Sequence, residues 1–329
     1  MGRRLLPLLS FFSAACSASA LPALAPRSSS PLAFAAESQG SRPAAPARLA
    51  PPWGGAGAGL RRVLGASTNS VSELRVMRHP LVAADQTRAN VLLYHAFDRG
   101  TDPLSVPSPR FERQIQWLIE HDVEIVALSE LVEFLEGRRR LPRRVAVITI
   151  DDGVESVHEK AWPILRRYGA RFTLGLPTQI MQSPENAPML SWDQVREMLA
   201  SGLCEIASHG HRHLPLPVLS KRLAADELEL SAEIIERQVG TRPLAYFYPL
   251  GALDKASMKS VQRAGYRAAF SAKGGPIAIG SSPLMRIPRT SIFHDDDLGH
   301  LAFYFSQRFF ERLPETARSP AEALASARE

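Results

Sequence analysis

From Asn90 onward the chain repeats one unit: a short β-branched or otherwise apolar run, then a stretch with apolar residues at helical spacing. Strand-like runs at 91–94, 123–128, 145–150, 171–176, 204–208, 244–248 and 267–271 alternate with helix-like stretches at 111–121, 129–136, 155–168, 191–200, 224–239 and 255–264. Phe111, Ile115, Leu118 and Ile119 share one face of the first helix, and Ser129 is placed to cap the second, which Gly137 follows. Gly169, Gly240 and Gly265 stand where three later helices would end. Strands alternating with helices imply parallel βα units. About seven such units in one stretch predict an α/β fold, a distorted (β/α) barrel that is closed or nearly so and forms a single catalytic domain.

A βα barrel builds its sites at the C-terminal ends of its strands. Four polar clusters fall just after expected strands: His95, Asp151-Asp152-Gly153, Ser208-His209-Gly210-His211-Arg212-His213 and Tyr248-Pro249. Adjacent aspartates at a strand end point in different directions, so one can bind a metal while the other faces a water beside it. His209 and His213 are four apart and would share a face if the segment were helical, His211 pointing away. With one Asp they would form a two-His, one-carboxylate site that leaves positions open for water and substrate. Each cluster has a plainer reading. Asp-Asp-Gly is a good turn and N-cap sequence, and His95 alone could be a structural histidine at a strand end. His79, His121, His158, His294 and His300 have no ligand-like spacing and are read as structural.

Charge placement argues against a nucleic-acid enzyme. The net charge is +6, but residues 1–88 hold ten Arg, no Lys and three acidic residues, so the rest of the chain is near −1. A nucleic-acid enzyme would carry its basic patch on the folded domain. Gly2-Arg3-Arg4, an apolar stretch over 5–15 and the small-x-small pattern Ala18-Ser19-Ala20 predict a signal peptide over 1–20, hence export to the periplasm, cell envelope or medium with no membrane span after cleavage. Ser13-Ala14-Ala15-Cys16 also hints at a lipoprotein site, without the usual Leu three residues before the Cys. Residues 21–88, rich in Ala, Pro, Ser, Gly and Arg, read as a low-complexity linker. A catalytic domain over 89–312 and a tail over 313–329 complete the expected organisation. With only Cys16 and Cys204, there is no disulfide framework.

The stretch from about 89 to 290 resembles polysaccharide deacetylases of the NodB-homology type, carbohydrate esterase family four. The segments that carry the resemblance are Leu92-Leu93-Tyr94-His95, Thr149-Ile150-Asp151-Asp152-Gly153, Ser208-His209-Gly210-His211-Arg212-His213 and Phe247-Tyr248-Pro249-Leu250-Gly251, in that order. The Tyr-His start is similar to the branch acting on poly-β-1,6-N-acetylglucosamine. The resemblance implies that Asp151 is the general base, that Asp152, His209 and His213 hold a divalent metal, and that His95 is the general acid. The Leu250 N–H would hold the oxyanion, with Tyr248 and Pro249 at the substrate. Zn²⁺ is the default ion, though such a mixed N/O site also accepts Fe, Co or Ni. The implied reaction is metal-assisted removal of N-acetyl groups from an N-acetylglucosamine-containing polysaccharide. Peptidoglycan, chitin or an acetyl ester are alternative substrates, and a non-catalytic carbohydrate-binding barrel is the alternative of another class. Ile150 stands where Phe is usual, Val154 where an aromatic is common, and Leu250 where the family favours Tyr or Phe. Arg286 and Arg289 are both candidates for the arginine that braces the base.

Overall fold

The computed structural model describes residues 77–311 apart from 99, 183–187 and 281. The expected signal peptide, most of the linker and the C-terminal tail lie outside the described residues. Eight strands form one sheet: β1 (Arg88–Tyr94), β2 (Glu124–Ile125), β3 (Arg144–Ile150), β4 (Phe172–Leu176), β5 (Cys204–Ser208), β6 (Ala245–Phe247), β7 (Ala268–Phe270) and β8 (Thr290–Ser291). Every strand pair is parallel, in the order β7-β6-β5-β4-β3-β1-β8, with β2 beside the start of β3. The sheet curls into a distorted barrel because one irregular segment touches both of its edges. Ile287 bridges to Phe270 of β7, and three and four residues later Thr290 and Ser291 pair with Leu92 and Leu93 of β1.

Alternation along the strands divides the core. Val91, Val145, Val147, Ala207, Ala245, Phe247, Ala268 and Phe270 form an inner cluster with helix α2 (Leu128–Leu135). The intervening residues Leu92, Ile148, Ile150, Phe172 and Leu174 face helices α1 (Ser108–Glu120), α3 (Trp162–Tyr168) and α4 (Trp192–Ala200). Tyr246, Tyr248 and Ala269 pack with α5 (Lys221–Val239) and α6 (Lys255–Arg263). Strands covered on both faces explain why their sequences read as near-continuous apolar runs. The chain ends its described part in α7 (Leu298–Tyr304) and α8 (Gln307–Phe310).

Four local expectations are corrected. The strand expected over 123–128 is only Glu124–Ile125, because helix α2 begins at Leu128. Its start is held by Glu130, whose carboxylate accepts the Ala127 N–H at 2.9 Å. Ser129 does not cap; its N–H and hydroxyl both donate to Glu205 of β5. The helix expected over 155–168 starts as a π-helical turn, Val157–Ala161, and becomes α-helical only at Trp162. The fold also begins before 89. Met77 packs on the inner core, Leu81 bridges to Pro142, and Val82 N–H donates to Leu141 at 3.2 Å, so residues 77–88 belong to the domain and not to the linker.

Thr149 and Asp151 continue the inward-facing set of Val145 and Val147, so the alternation of β3 delivers the Asp151 carboxylate into the barrel mouth. There it meets Gly175 of β4. A Cβ on Gly175 would lie 2.6 Å from Asp151 Oδ1 and 2.6 Å from the Phe247 ring. Gly175→Ala should therefore lower stability by about 1–3 kcal/mol through overpacking, measured by urea unfolding. An unchanged midpoint would show that this approach has slack.

Candidate active site

Asp151 and Asp152 follow β3, His95 follows β1, and the His209–His213 loop follows β5. The β1 and β3 ends are tied by the Asp151 N–H donating to Tyr94 O at 2.9 Å. Neither aspartate side chain accepts a backbone N–H among the described residues, so the cap reading of Asp-Asp-Gly is not what forms. Asp151 is instead gripped by Arg289 from the barrel-closing segment. Nη1 donates to Oδ1 at 2.8 Å and Nη2 to Oδ2 at 2.7 Å, both side chains being buried. Arg289 Nε donates to Ser271 O at 3.1 Å, and its guanidinium lies 4.2 Å from the Phe247 ring centroid. Arg289, not Arg286, therefore braces Asp151. Burial pushes the Asp151 carboxyl up, but Arg289 and His209 outweigh it and hold the group below the usual carboxylate range.

Asp152 is turned away from that clamp by a left-handed backbone, φ 71°. Its Oδ1 lies 3.4 Å from His209 Nε2 and 3.4 Å from His213 Nε2. The two Nε2 atoms are 3.0 Å apart. The His209 and His213 side chains are brought together without the helix that their spacing would require. The segment is a loop in which Gly210 (φ 80°) and His213 (φ 58°) are left-handed. Leu250 is left-handed too, φ 56°. Of the four non-glycine residues with positive φ among the described residues, three are therefore candidate site residues. Such conformations cost roughly 1–3 kcal/mol each and persist only where surrounding structure enforces them.

Much of that enforcement comes from Glu227 of α5, which the sequence reading did not single out. Its buried carboxylate accepts the N–H of His211 at 2.9 Å, the N–H of Arg212 at 2.8 Å and Arg212 Nε at 2.5 Å. A Cβ on Gly210 would lie 3.0 Å from Glu227 Oε2, so the loop can sit this close only with glycine there. His211 turns aside to Thr178 Oγ1, at 2.9 Å.

Asp152, His209 and His213 form a group whose ligand atoms lie within 4.8 Å of one another. The donor set fits a divalent ion. His209 Nδ1 sits 2.9 Å from the Phe247 carbonyl, which can only accept, so Nδ1 carries the proton and Nε2 is left with a free lone pair. Tetrahedral bonds of about 2.05 Å place ligand atoms about 3.3 Å apart, close to the separations seen. Burial pushes the His209 pKa down, yet Asp151 and Asp152 together raise it. Burial and then His209 lower that of His213. Two carboxylates held ionised against one guanidinium leave a negative charge for a cation to balance.

His95 stands beside this group. Burial lowers its pKa, Asp151 and Asp152 act against that, and Arg289 and His209 act with it. Its Nδ1 is buried with no hydrogen-bond partner among the described residues. The two residues expected at the substrate are both buried. Tyr248 is fully buried, its hydroxyl donating to Met285 O at 3.0 Å, and Pro249 is buried beneath the loop. Leu250 is 74% exposed at the rim. His79, His121, His158, His294 and His300 each bond to nearby carboxylates or carbonyls away from the group.

Residues 138–269 match the family model described as polysaccharide deacetylase. The chain carries a polysaccharide deacetylase domain of the NodB type. The poly-β-1,6-N-acetyl-D-glucosamine N-deacetylase of Staphylococcus aureus is 27% identical over 222 residues, 64% of this chain and 76% of that protein. YxkH of Bacillus subtilis, named for the same family, is 25% identical over 185 residues, 56% of this chain and 64% of YxkH, so the match spans less than two thirds of that relative. The fold is shared with IcaB from Ammonifex degensii, at a TM-score of 0.62 and 24% identity over 66% of this chain and 97% of that one. It is shared also with the Streptococcus pyogenes deacetylase PplD in complex with acetate, at 0.61 and 20% over 67% and 99%.

Two outcomes follow for the deacetylase domain. Arg289→Met leaves a buried, unpaired carboxylate and should cost about 3–5 kcal/mol in urea unfolding. Adding Asp151→Asn should recover part of that loss; no recovery would mean Arg289 stabilises mainly by packing. Glu227→Ala should weaken metal binding by about 10–100-fold in chelator competition. Unaltered affinity would remove Glu227 from the support of the loop.

Proposed function

We propose that this protein is a metal-dependent hydrolase that removes N-acetyl groups from an N-acetylglucosamine-containing polysaccharide outside the cytoplasm. The observation that carries the reading is the division between two adjacent aspartates. Asp151 is clamped by Arg289 and kept ionised, while Asp152 faces the two Nε2 atoms. A base and a ligand set are thus held side by side. The relative from Staphylococcus aureus supports the glycan class by its name. Export rests on the pattern in residues 1–20, with the linker and the catalytic domain following it. No helix among the described residues is long and apolar enough to cross a membrane.

Asp152, His209 and His213 would hold a divalent ion, Zn²⁺ by default with Fe, Co or Ni as alternatives, which would supply Lewis-acid polarisation of the acetyl carbonyl and a water of lowered pKa. Asp151 takes the proton as the water oxygen bonds to the carbonyl carbon. Its Arg289 contacts keep the carboxylate ionised and aimed into the barrel mouth. The Leu250 N–H stands as donor to the developing oxyanion, a contribution of a few kcal/mol. His95 gives a proton to the departing nitrogen as the C–N bond breaks, so acetate and the free sugar amine leave. A lowered His95 pKa makes its protonated form the stronger acid.

Acetate release from N-acetylglucosamine oligomers by the metal-loaded protein, lost with chelator and restored by metal, tests the reading. No release from any N-acetylated glycan would overturn it. His95→Ala should reduce turnover of the amide by roughly 10²-fold or more and that of an activated aryl acetate far less, since its leaving group needs no proton. Equal losses on both would assign His95 a structural role.

A further inference from the structure

A cavity of about 680 Å³ lies beside the site, on the same end of the barrel. Its walls come from the segments after β5, β6 and β7: Pro217, Gly251, Lys255 and Lys273, with Arg286 from the closing segment. It touches the proposed machinery at two points. Gly251 adjoins Leu250, and Ser271, also in the wall, accepts from Arg289 Nε. The volume falls within the range of about 300–1,000 Å³ typical of small-molecule sites.

The charge of this cavity contrasts with the rest of the domain. Lys255, Lys273 and Arg286 are exposed in it, and none of the three pairs with a carboxylate among the described residues. The one acidic residue in the wall, Asp254, is occupied locally. Its Oδ1 accepts the Ser257 N–H at 2.7 Å and the Ser257 hydroxyl at 2.6 Å, capping α6. Residues 89–329, the cavity included, sum to about −1, so a net positive cavity is not a sample of a generally basic surface. Nor is it soft. Pro217, Pro276, Pro283 and Pro288 line it, and a fixed φ at each keeps the walls in place before a ligand arrives. An arginine fork and two lysines in one preformed cleft are suited to a carboxylate.

We propose that this cavity is a subsite for a carboxylate-bearing sugar next to the residue that is deacetylated. The inference rests on the deacetylase reading and narrows its substrate class to glycans in which acidic and N-acetylated sugars adjoin.

The probes are two oligosaccharides of equal length, one of N-acetylglucosamine alone and one alternating N-acetylglucosamine with glucuronate. Binding to the full chain is measured by calorimetry at low and moderate salt, and acetate release is followed separately. The acidic oligomer should bind about tenfold tighter, and its advantage should shrink as salt rises. In the double variant Lys273→Glu/Arg286→Glu that ratio should collapse or reverse. If that variant melts early, Lys273→Gln/Arg286→Gln should still reduce the ratio. Equal binding of the two oligomers, no binding of the acidic one, or a ratio that survives either double variant would overturn the subsite. Acetate release without any charge preference would sink the subsite alone. Charge preference without release from any glycan would sink the deacetylase reading and leave the subsite standing.

Discussion

One buried ion pair organises this molecule. Arg289 and Asp151 each lie almost wholly out of solvent and meet through two hydrogen bonds. An unpaired charge at that depth would cost several kcal/mol, so neither residue could hold its place without the other. The pair does three things at once. It fastens the barrel-closing segment to β3. It keeps a carboxylate ionised in an apolar surround. It also engages both oxygens of Asp151, whose Oδ2 lies 3.6 Å from His209 Nε2, whereas Asp152 is the aspartate that lies near both His209 and His213. Phe247 under the guanidinium and the bare Cα of Gly175 beside the carboxylate are the packing conditions for that arrangement.

The backbone strain around the pair fits the same account. Asp152 and His213 sit in left-handed conformations, directly at the ends of β3 and in the loop after β5. Glu227 supplies three of the hydrogen bonds that hold the second of these loops. A rigid sheet therefore ends in two strained turns whose side chains converge, which is how a preorganised site is built from strand ends.

Much of this was legible in the sequence. The short apolar, β-branched runs marked strands at 91–94, 145–150 and 204–208, and the polar residues just past them are the ones that meet. Alternation along β3 even assigns Asp151 to the inside, because it continues Val145, Val147 and Thr149. What periodicity could not announce were elements too short or too irregular to have a period. β8 is two residues long, and Arg289 lies just before it, after an irregular stretch that holds Pro276, Pro283 and Pro288. Glu227 reads as one more acidic residue on an amphipathic helix until the loop folds over it. The place of Tyr248 in a strand-end motif says nothing about which way its ring turns, and the ring turns into the core. The i, i+4 spacing of His209 and His213 suggested a helix, but two residues with positive φ bring the rings together by another route.

The central claim is that the two adjacent aspartates have different tasks, enforced by Arg289. Equilibrium Zn²⁺ titration of Asp151→Asn and Asp152→Asn tests it most directly. Asp151→Asn should still bind one equivalent with affinity within a few-fold of the parent, whereas Asp152→Asn should lose about 100-fold or more. Metal lost by Asp151→Asn and kept by Asp152→Asn would contradict the account.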